Sequence, residues 1–317
     1  MESLLLGVDG GNTKTIALVA REDGTIVGLG RAGCADLYNA GPEQAVENIV
    51  SAVEQAGAGP FSAAAFSLAG ADWPEDFALH HDALPARVGI ERPPLVVNDA
   101  TGGLRAGTTD GVGVAVICGS ASAIGAGAPG RRFWHASFWL DLGGADELGH
   151  RAVRAVVRAE LGLERPTALT EKTLAFFGLG SVPELLHAFT SRTPAAPANG
   201  GRLAPLVLEA ADAGDEVAVA IVQTLGCGLG RYACVAARQV ELDPAGHPLV
   251  LAGGVLRHPS PVLADAIAAE IPKAVPTRAE FEPAVGALLL AFDELGIEPD
   301  LDKLRASLPD PALYDTV

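Results

Sequence analysis

A glycine turn between two apolar segments restricts the fold of this chain more than any other feature of its sequence. Residues 4–9 form an apolar run that ends at Asp9, the turn Gly10-Gly11-Asn12 follows, and residues 13–20 form a second apolar run. This pattern predicts two strands joined by a tight turn. Because the glycines lead into a strand and not into a helix, the Walker and Rossmann nucleotide-binding motifs are excluded.

The same turn has the chemistry of an anion site. A glycine hairpin with hydroxyl groups offers successive backbone N–H groups, which bind phosphate without a cluster of basic side chains. Asp9 would hold Mg²⁺ through water, because Mg²⁺ keeps most of its waters and uses few carboxylates. An ordinary hairpin with a solvated lysine is the alternative. The residues expected at a phosphate are Gly10, Gly11, Asn12, Thr13 and Lys14.

The order of elements in the first half predicts a mixed α/β domain. Strands are predicted at 26–30, 64–69 and 94–97, and helices at 41–55 and 77–88. Three strands followed by alternating helices and strands make one complete domain.

The second half begins with a similar pattern. An apolar run at 112–118, the turn Gly119-Ser120-Ala121-Ser122 and a returning run at 123–128 follow one another. We interpret this as a degenerate internal duplication. The domains are placed at residues 1–115 and 116–317, with a last helix, 284–295, that packs back on the first domain. Further predictions are helices at 148–161, 170–178, 181–190, 204–213 and 216–239, a strand at 248–252, a loop at 191–202 and a surface tail after 296.

Two further turns in the second half have a composition that suits ligand binding. Gly119, Ser120, Ala121 and Ser122 would form a second phosphate-binding turn, and a plain Gly-Ser turn is the alternative. Gly253 and Gly254 follow an apolar strand, where glycines let a flat ligand approach the backbone closely. A simple strand-to-helix turn is the alternative there.

Asp99 is the carboxylate with the most suggestive position. It follows the apolar run Leu95-Val96-Val97-Asn98, so its side chain emerges at the carboxyl end of a sheet, where α/β ligand crevices form. There it would act as a general base towards a hydroxyl that attacks a phosphoryl group. Capping of the following helix is the alternative role.

Charge and cysteine content restrict the partners and the compartment. With 22 Lys and Arg against 39 Asp and Glu, the formal charge is −17, which disfavours nucleic acid and anionic membranes as partners. The N-terminus lacks the basic start and long apolar stretch of a signal peptide, and the four cysteines have neither CxxC nor zinc spacing. A cytoplasmic protein with reduced thiols is the expectation, and a homodimer is left open.

Taken in order, these motifs resemble a known family. Asp9-Gly-Gly-Asn-Thr-Lys14, Asn98-Asp99-Ala, Gly119-Ser-Ala-Ser122 and Leu251-Ala-Gly-Gly254 resemble the first phosphate loop, catalytic Asp, second phosphate loop and adenosine segment of the N-acetylglucosamine kinase and BadF-type ATPase family. That family belongs to the actin-like, hexokinase-like ATPases. The resemblance extends from about residue 4 to 295. It implies two ribonuclease-H-like α/β domains with ATP and Mg²⁺ in the cleft between them, and transfer of a phosphoryl group to a sugar hydroxyl.

The resemblance also implies residues at the sugar, with some departures from the family pattern. A Gly-Asp-Glu-Gly-Ser stretch of the family is matched to Leu140-Asp141-Leu142-Gly143-Gly144, which sets Asp141 at the sugar or Mg²⁺ and Leu142 in place of the glutamate. Asp36 stands where the family often has Asn at the sugar rim, and this extra acid favours a cationic amino sugar unless it is merely solvated. Ser120 and Ala121 replace a threonine and a glycine. The residues implied at the substrate are Asp36, Asp72, Asn98 and Asp141.

Three functional hypotheses follow. The first is a kinase that phosphorylates an amino sugar such as N-acetylglucosamine or glucosamine, with Asp99 as base. The second is an ATPase that activates a partner enzyme through an iron–sulfur cluster, for which the cysteine spacing is poor. The third is a non-catalytic sensor of sugar or nucleotide, which is motivated by Ala121 and Leu142.

Overall fold

Two five-stranded sheets organise the chain in the computed structural model, which describes residues 3–192, 200–310 and 313. In the first sheet, three antiparallel strands are followed by two strands parallel to the first of them. The order across this sheet is β3-β2-β1-β4-β5. Its strands are β1 (Leu4–Gly10), β2 (Thr15–Arg21), β3 (Ile26–Ala32), β4 (Ala63–Leu68) and β5 (Leu95–Asn98).

The second sheet repeats this arrangement. Its first three strands are antiparallel, its last two are parallel to the first of them, and its order is β10-β9-β6-β7-β8. This shared topology agrees with the duplicated pattern in the sequence. The sheet starts at Gly113, close to the predicted limit between the domains. Its strands are β6 (Gly113–Cys118), β7 (Ser122–Ala128), β8 (Arg132–His135), β9 (Pro248–Ala252) and β10 (Val275–Arg278).

Helices cover both sheets. Those of the first half are α1 (Leu37–Ala40), α2 (Pro42–Ala56), α3 (Pro74–Ala83), α4 (Pro85–Val88) and α5 (Asp99–Arg105). Those that follow are α6 (Ala145–Glu160), α7 (Leu169–Phe177), α8 (Val182–Thr190), α9 (Ala204–Asp212), α10 (Glu216–Gln239), α11 (Val262–Glu270), α12 (Pro283–Leu295) and α13 (Leu301–Ala306). Two 3₁₀ helices, Ser137–Trp139 and Gly200–Leu203, complete the described chain.

The register of the first sheet brings three chain segments to one edge. Gly10 of β1 pairs with Leu68 of β4, and Leu68 pairs in turn with Asn98 of β5. Parallel strands end at the same edge, and this edge is where α/β sheets form ligand crevices. The residues that follow β1, β4 and β5 therefore lie side by side.

Helix α12 packs on the first sheet although it lies far along the chain. Leu288 and Phe292 share a buried cluster with Leu5, Ile16 and Leu18 of β1 and β2. The approach is so close that a Cβ on Gly7 would lie 2.3 Å from the Leu288 Cα. A side chain at position 7 would therefore force the helix away from the sheet.

An ion pair with a buried arginine fastens α12 to α5. The Arg105 guanidinium donates to both Asp293 carboxylate oxygens, at 2.8 and 3.1 Å, and to the Thr108 carbonyl at 2.6 Å. Only 9% of the Arg105 side chain is exposed, against 36% for Asp293. The pair is bidentate, which is the strong geometry for an arginine and a carboxylate.

Asp293→Ala is expected to lower the free energy of unfolding by about 2–3 kcal/mol, because it leaves the buried Arg105 charge without its carboxylate. The matched control is Glu209→Ala, which breaks the exposed Lys172–Glu209 pair and should cost less than about 1 kcal/mol. Denaturant unfolding of both variants measures the difference. Equal losses would show that the Arg105–Asp293 pair contributes no more than a surface pair.

Several predicted elements differ from the observed ones. The predicted helix 77–88 is two helices, α3 and α4, because Pro85 cannot continue an α-helix and starts a new one. Strands β8 and β10 and helix α11 were not predicted, since each is short and has weak periodicity. The predicted surface tail holds α13, whose Leu304 is fully buried against α12. Residues 193–199 of the predicted loop lie outside the described chain.

Helix α10 is long and apolar enough to cross a membrane by length and composition alone. In the structure its apolar side chains are part of the core of the second half, where Ile221, Val222, Leu225 and Leu229 are buried. Helix α10 is therefore a core helix of the second half.

Candidate active site

Two cavities meet at the ends of the strands that carry the predicted site residues. The larger has a volume of about 690 Å³, which lies within the range of small-molecule sites. The smaller has about 230 Å³. The larger is lined from both halves of the chain and includes Asp9, Thr13, Lys14, Gly119, Ser120, Gly253 and Gly254. The smaller includes Asn12, Asp36, Asp72, Asn98, Asp99 and Ser122.

The first glycine turn separates the two cavities. It is closed by a hydrogen bond from the Gly11 N–H to the Lys14 carbonyl at 2.8 Å. Thr13 and Lys14 line the larger cavity, whereas Asn12 lines the smaller one and accepts from the Asn39 amide at 2.7 Å. Gly10 touches neither cavity and is required by packing, since a Cβ there would lie 2.6 Å from Leu68.

The second turn and the glycine pair are braced against each other. A Cβ on Gly253, whose φ is +93°, would lie 2.5 Å from the Cys118 carbonyl oxygen, so only glycine fits there. The Val255 N–H donates to the same carbonyl at 3.0 Å, and the Ala145 N–H at the start of α6 donates to the Gly119 carbonyl at 2.8 Å. Gly119, Ser120, Gly253 and Gly254 thus form one wall of the larger cavity.

The last two residues of the second turn lie elsewhere. Ser122 lines the smaller cavity, and its hydroxyl donates to the Gly143 carbonyl at 2.7 Å. Ala121 lines neither cavity. The four residues expected to form a single phosphate turn are therefore divided between the two cavities, with Ala121 exposed outside both.

Asp99 is not the cap of the helix that it starts. The N-cap of α5 is Asn98, whose side-chain oxygen accepts from the Ala100 N–H at 3.0 Å. This arrangement corrects the capping alternative for Asp99, which occupies the first helical position with its carboxylate in the smaller cavity. Asn98 also donates to Asp72 at 2.8 Å, so the residue before Asp99 is fixed on both sides.

Burial perturbs the charged groups at the junction of the cavities. The pKa of Asp9 is raised to about 7, mainly by burial and less strongly by the negative charge of Asp99. The pKa of Asp99 is also raised to about 7, mainly by burial and less strongly by the negative charge of Asp72. Burial also lowers the pKa of the Lys14 ammonium, against the opposing effect of Asp9. Such displaced pKa values are typical of functional sites.

Asp72 joins the two halves of the chain in the smaller cavity. Its Oδ1 accepts from Asn98 of the first half and, at 2.7 Å, from the Ser137 hydroxyl of the second half. His135 contacts that hydroxyl through Nδ1. Burial raises the pKa of Asp72, although Ser137 and His135 oppose the shift. Asp72 therefore fixes the position of Asn98, next to Asp99.

Asp36 is held rigidly at the same cavity. It caps α1 by accepting from the Tyr38 N–H at 2.7 Å and the Asn39 N–H at 3.3 Å. A Cβ on Gly70, whose φ is +75°, would lie 2.9 Å from an Asp36 carboxylate oxygen. The side chain is 9% exposed and is not a solvated rim residue, which corrects that alternative.

Asp141 is not brought to these cavities. It is exposed, accepts from the Tyr232 hydroxyl at 3.0 Å and lines neither cavity. Helix α6 begins at Ala145, with Asp146 and Glu147 in its first turn, where the helix dipole favours acids. Asp146 accepts from the Gly201 N–H at 2.9 Å, and Ala145 lines the larger cavity. The acidic residue that contacts the wall of the larger cavity is thus Asp146, through Gly201.

Several cavity residues were missed by the sequence reasoning. Arg202, Arg257, His258 and Glu282 line the larger cavity, and Arg257 is paired with Glu282. Tyr38 and Asn39 line the smaller one, together with Ser137 and Phe138. The six missed residues are Tyr38, Asn39, Arg202, Arg257, His258 and Glu282, and none of them lies at the end of a predicted strand, so no sequence signal marked them.

The carboxylates at the junction suit a magnesium ion bound together with a nucleotide. Among the described residues, no group of three or more His, Cys, Asp or Glu side chains is arranged to hold a metal by itself. Mg²⁺ at phosphates needs only one or two protein carboxylates, and Asp9 supplies one in the larger cavity. The donor set fits that mode of binding.

The two sheets of equal topology and the cavities between them define an ATPase fold of the actin-like, hexokinase-like class. The sequence profile of the BadF/BadG/BcrA/BcrD ATPase family matches residues 6–291, and the chain therefore belongs to that family. Membership of an ATPase family implies that the chain uses ATP.

Individual relatives agree with this assignment. N-acetyl-D-glucosamine kinase of Dictyostelium discoideum is 24% identical over 316 residues, which cover 92% of this chain and 98% of the relative. A candidate N-acetylglucosamine kinase of known structure from Chromobacterium violaceum is 26% identical with a TM-score of 0.65, covering 92% of this chain and 99% of that one. A ROK family glucokinase from Streptomyces griseus, solved with glucose and AMPPNP, has the same fold with a TM-score of 0.58 at 22% identity, covering 92% and 100% of the two chains.

Proposed function

We propose that this chain is a sugar kinase that transfers the γ-phosphoryl group of ATP to a hydroxyl of an amino sugar such as N-acetylglucosamine or glucosamine. The observation that carries the proposal is the position of Asp99, which lines the small cavity next to Asp9 of the large one. A base is thereby available where an acceptor in the small cavity would meet a nucleotide in the large one. The named relatives support the choice of a sugar as acceptor.

In the proposed reaction, the Asp99 carboxylate accepts the proton of the sugar hydroxyl as its oxygen attacks the γ-phosphorus. The bond from that phosphorus to the bridging oxygen breaks, and ADP leaves. Lys14 supplies positive charge beside the phosphates, and the wall formed by Gly119, Ser120 and Gly253 fixes the nucleotide. Asp9 would hold the Mg²⁺ that, when bound, neutralises charge on the β- and γ-phosphate oxygens.

The lining of the small cavity supports a polyhydroxylated acceptor. Asp36, Asp72, Asn39 and Asn98 offer both acceptors and donors to sugar hydroxyls. Asp36 adds a fixed carboxylate, which supports an acceptor with an amino group. Hydrogen bonds among these residues hold them in position before the sugar binds.

One assay tests the proposal. Purified protein with Mg²⁺-ATP is incubated with glucosamine, N-acetylglucosamine, glucose, other hexoses or no acceptor, and ADP release and sugar phosphate are measured. Stoichiometric formation of both products with an amino sugar is the expected result. ADP release that no sugar stimulates would favour an ATPase that serves a partner enzyme, and absence of ADP release under all conditions would favour a sensor.

The pH dependence provides a second test of the base. A carboxylate base works only when it is deprotonated, and the pKa of Asp99 is raised to about 7. We therefore expect kcat/KM to fall as the pH drops through about 7. The negative charge of Asp72 raises this pKa, so Asp72→Asn should move the acid limb of the profile to lower pH.

Glu75→Gln is the matched control for the pH experiment, because it removes an exposed carboxylate three residues from Asp72 on the same segment. It should leave the acid limb of kcat/KM where it is. An acid limb that stays in place in Asp72→Asn, or that moves equally in both variants, would show that Asp99 does not titrate under the influence of Asp72.

A further inference from the structure

A third cavity, which the proposed reaction does not use, adjoins the small one. Its volume is about 200 Å³, nearly that of the 230 Å³ acceptor cavity. The two cavities share Asp72, Ser137 and Phe138 in their walls. They are therefore neighbouring compartments of similar size, and Asp72, Ser137 and Phe138 lie between them.

Aromatic rings dominate this third cavity, which we call the aromatic cavity. The chain has three tryptophans, Trp73, Trp134 and Trp139, and all of them line it, together with Phe133 and Phe138. Large apolar side chains that are exposed together mark a binding surface. The exposed fractions are 43% for Trp73, 57% for Phe138 and 69% for Trp139.

The ring of Phe138 connects the aromatic cavity to the acceptor cavity. On the acceptor side it packs edge-to-face against Tyr38, with ring centroids 4.9 Å apart. On the other side it is parallel to Trp73, with centroids 6.2 Å apart. Phe138 belongs to the second half of the chain, and Tyr38 and Trp73 belong to the first. Side chains of both halves thus form the boundary between the two cavities.

The aromatic cavity also contains polar groups directed inward. Asp72, His135 and Ser137 form a hydrogen-bonded row along one wall. Flat apolar faces beside a few converging donors and acceptors are the pattern of a small-molecule pocket and not of a protein interface core. A sugar ring or an aryl ring has faces that stack on tryptophan and, in the case of the sugar, hydroxyls that match the polar row.

We propose that the acceptor is a glycoside with a second ring, and that this ring stacks in the aromatic cavity while the sugar to be phosphorylated occupies the acceptor cavity. This inference rests on the proposed sugar kinase function and specifies its substrate class. The similar volumes of the two cavities correspond to two units of similar size. Asp99 lines only the acceptor cavity, so only the sugar in that cavity is phosphorylated.

Trp139→Ala tests the inference kinetically. The side chain is mostly exposed, and its backbone carbonyl, which accepts from the Tyr232 hydroxyl at 2.6 Å, is retained in the variant. We expect the wild type to have a KM at least tenfold lower for a β-linked disaccharide or an aryl glycoside of glucosamine than for glucosamine. Trp139→Ala should raise that KM about tenfold and leave kcat and the monosaccharide KM within about twofold, as expected for loss of one stacking surface. Leu161→Ala, at another exposed apolar residue (67%), is the control and should change neither value.

Tryptophan fluorescence provides a readout that does not depend on phosphorylation. Because all three tryptophans line the aromatic cavity, a disaccharide that enters it should change the intrinsic emission, and glucosamine alone should not. A fluorescence change without phosphorylation of any sugar would support the second subsite and contradict the kinase function. Phosphorylation of glucosamine, with neither a fluorescence change nor a KM advantage for glycosides, would overturn the subsite and leave the kinase function intact.

The alternative to a glycoside in the aromatic cavity is a protein partner, such as a second copy of this chain. Sedimentation of the wild type and Trp139→Ala at several concentrations tests for this. A dimer that the substitution converts to monomer, with glycoside kinetics unchanged, would overturn the proposal. The same molecular mass for both proteins, with the expected KM change, supports it.

Discussion

Asp99→Asn is expected to lower kcat for sugar phosphorylation by about 10²–10⁴-fold and to leave ATP affinity within a few-fold of the wild-type value. The amide keeps the size and shape of the side chain but cannot accept the proton of the attacking hydroxyl. Asp99 lines the smaller cavity and not the larger one, where the nucleotide is proposed to bind, so the variant should lose phosphoryl transfer and still bind ATP. Steady-state kinetics and titration with an ATP analogue measure the two effects.

The variant should not fail for lack of stability. The pKa of Asp99 is raised from 3.8 to about 7 by burial, so the folded protein binds its proton more tightly than the unfolded chain does. Ionisation of Asp99 therefore opposes folding, and the stability that depends on its proton is lost as the pH rises towards 7. At pH 8 the neutral amide removes this penalty, and Asp99→Asn should unfold at a temperature equal to or above that of the wild type.

The control for the activity measurement is Asp82→Asn, which neutralises an exposed carboxylate on α3 and should leave kcat unchanged. Wild-type kcat in Asp99→Asn would contradict the assignment of Asp99 as base. A parallel loss of ATP binding would instead assign Asp99 a role in nucleotide binding.

The parts of the site that sequence reasoning anticipated are those encoded within a few consecutive residues. Asp9 and Asp99 lie at the ends of apolar strands and Lys14 lies in the turn after β1, and the end of a strand is the place where a sheet presents side chains to a ligand. The hairpin that opens each sheet was accessible for the same reason, because strand, turn and returning strand recur in both halves, whereas β8 and β10 were not. The last helix was expected on the first domain, and its apolar face packs on that sheet.

The parts that were missed depend on contacts between distant segments. Tyr38 meets Phe138 across a hundred residues, and Arg202, Arg257 and Glu282 come to the larger cavity from three separate segments. Asn12 and Ser122 line the smaller cavity, whereas other residues of the same two turns line the larger one. Which cavity a turn residue lines depends on the direction of its side chain, and residue type does not determine that direction. The expectation for Asp141 depended on where α6 begins, and helix ends are the least certain part of a pattern.

Gly286→Ala is expected to have the largest effect on stability, lowering the free energy of unfolding by about 3 kcal/mol or more. A Cβ at this position of α12 would lie 1.9 Å from the Gly102 carbonyl oxygen of α5. That oxygen already accepts the Ala106 N–H at 2.9 Å, so a methyl group would intrude on a helical hydrogen bond. Because backbone cannot give way as a flexible side chain does, the two helices would have to separate.

Separation of these helices would also displace Asp99, the proposed base. Asp99 is the first residue of α5, and Gly102 packs so closely on β4 that a Cβ there would lie 2.4 Å from the Ser67 hydroxyl. Helix α5 is thus held between β4 on one side and α12 on the other. We therefore expect Gly286→Ala to lose activity below its unfolding temperature, with kcat reduced more than ATP affinity.

Gly180→Ala is the matched control, because a Cβ there would meet only the flexible Glu184 carboxylate, at 3.5 Å. It should change the free energy of unfolding by less than about 1 kcal/mol. Thermal and denaturant unfolding of the two variants, with kcat measured at a temperature where both are folded, separates packing from catalysis. Equal stability of the two variants would contradict the close packing of α5 on α12. A destabilised Gly286→Ala with wild-type kcat would show that Asp99 keeps its position without that packing.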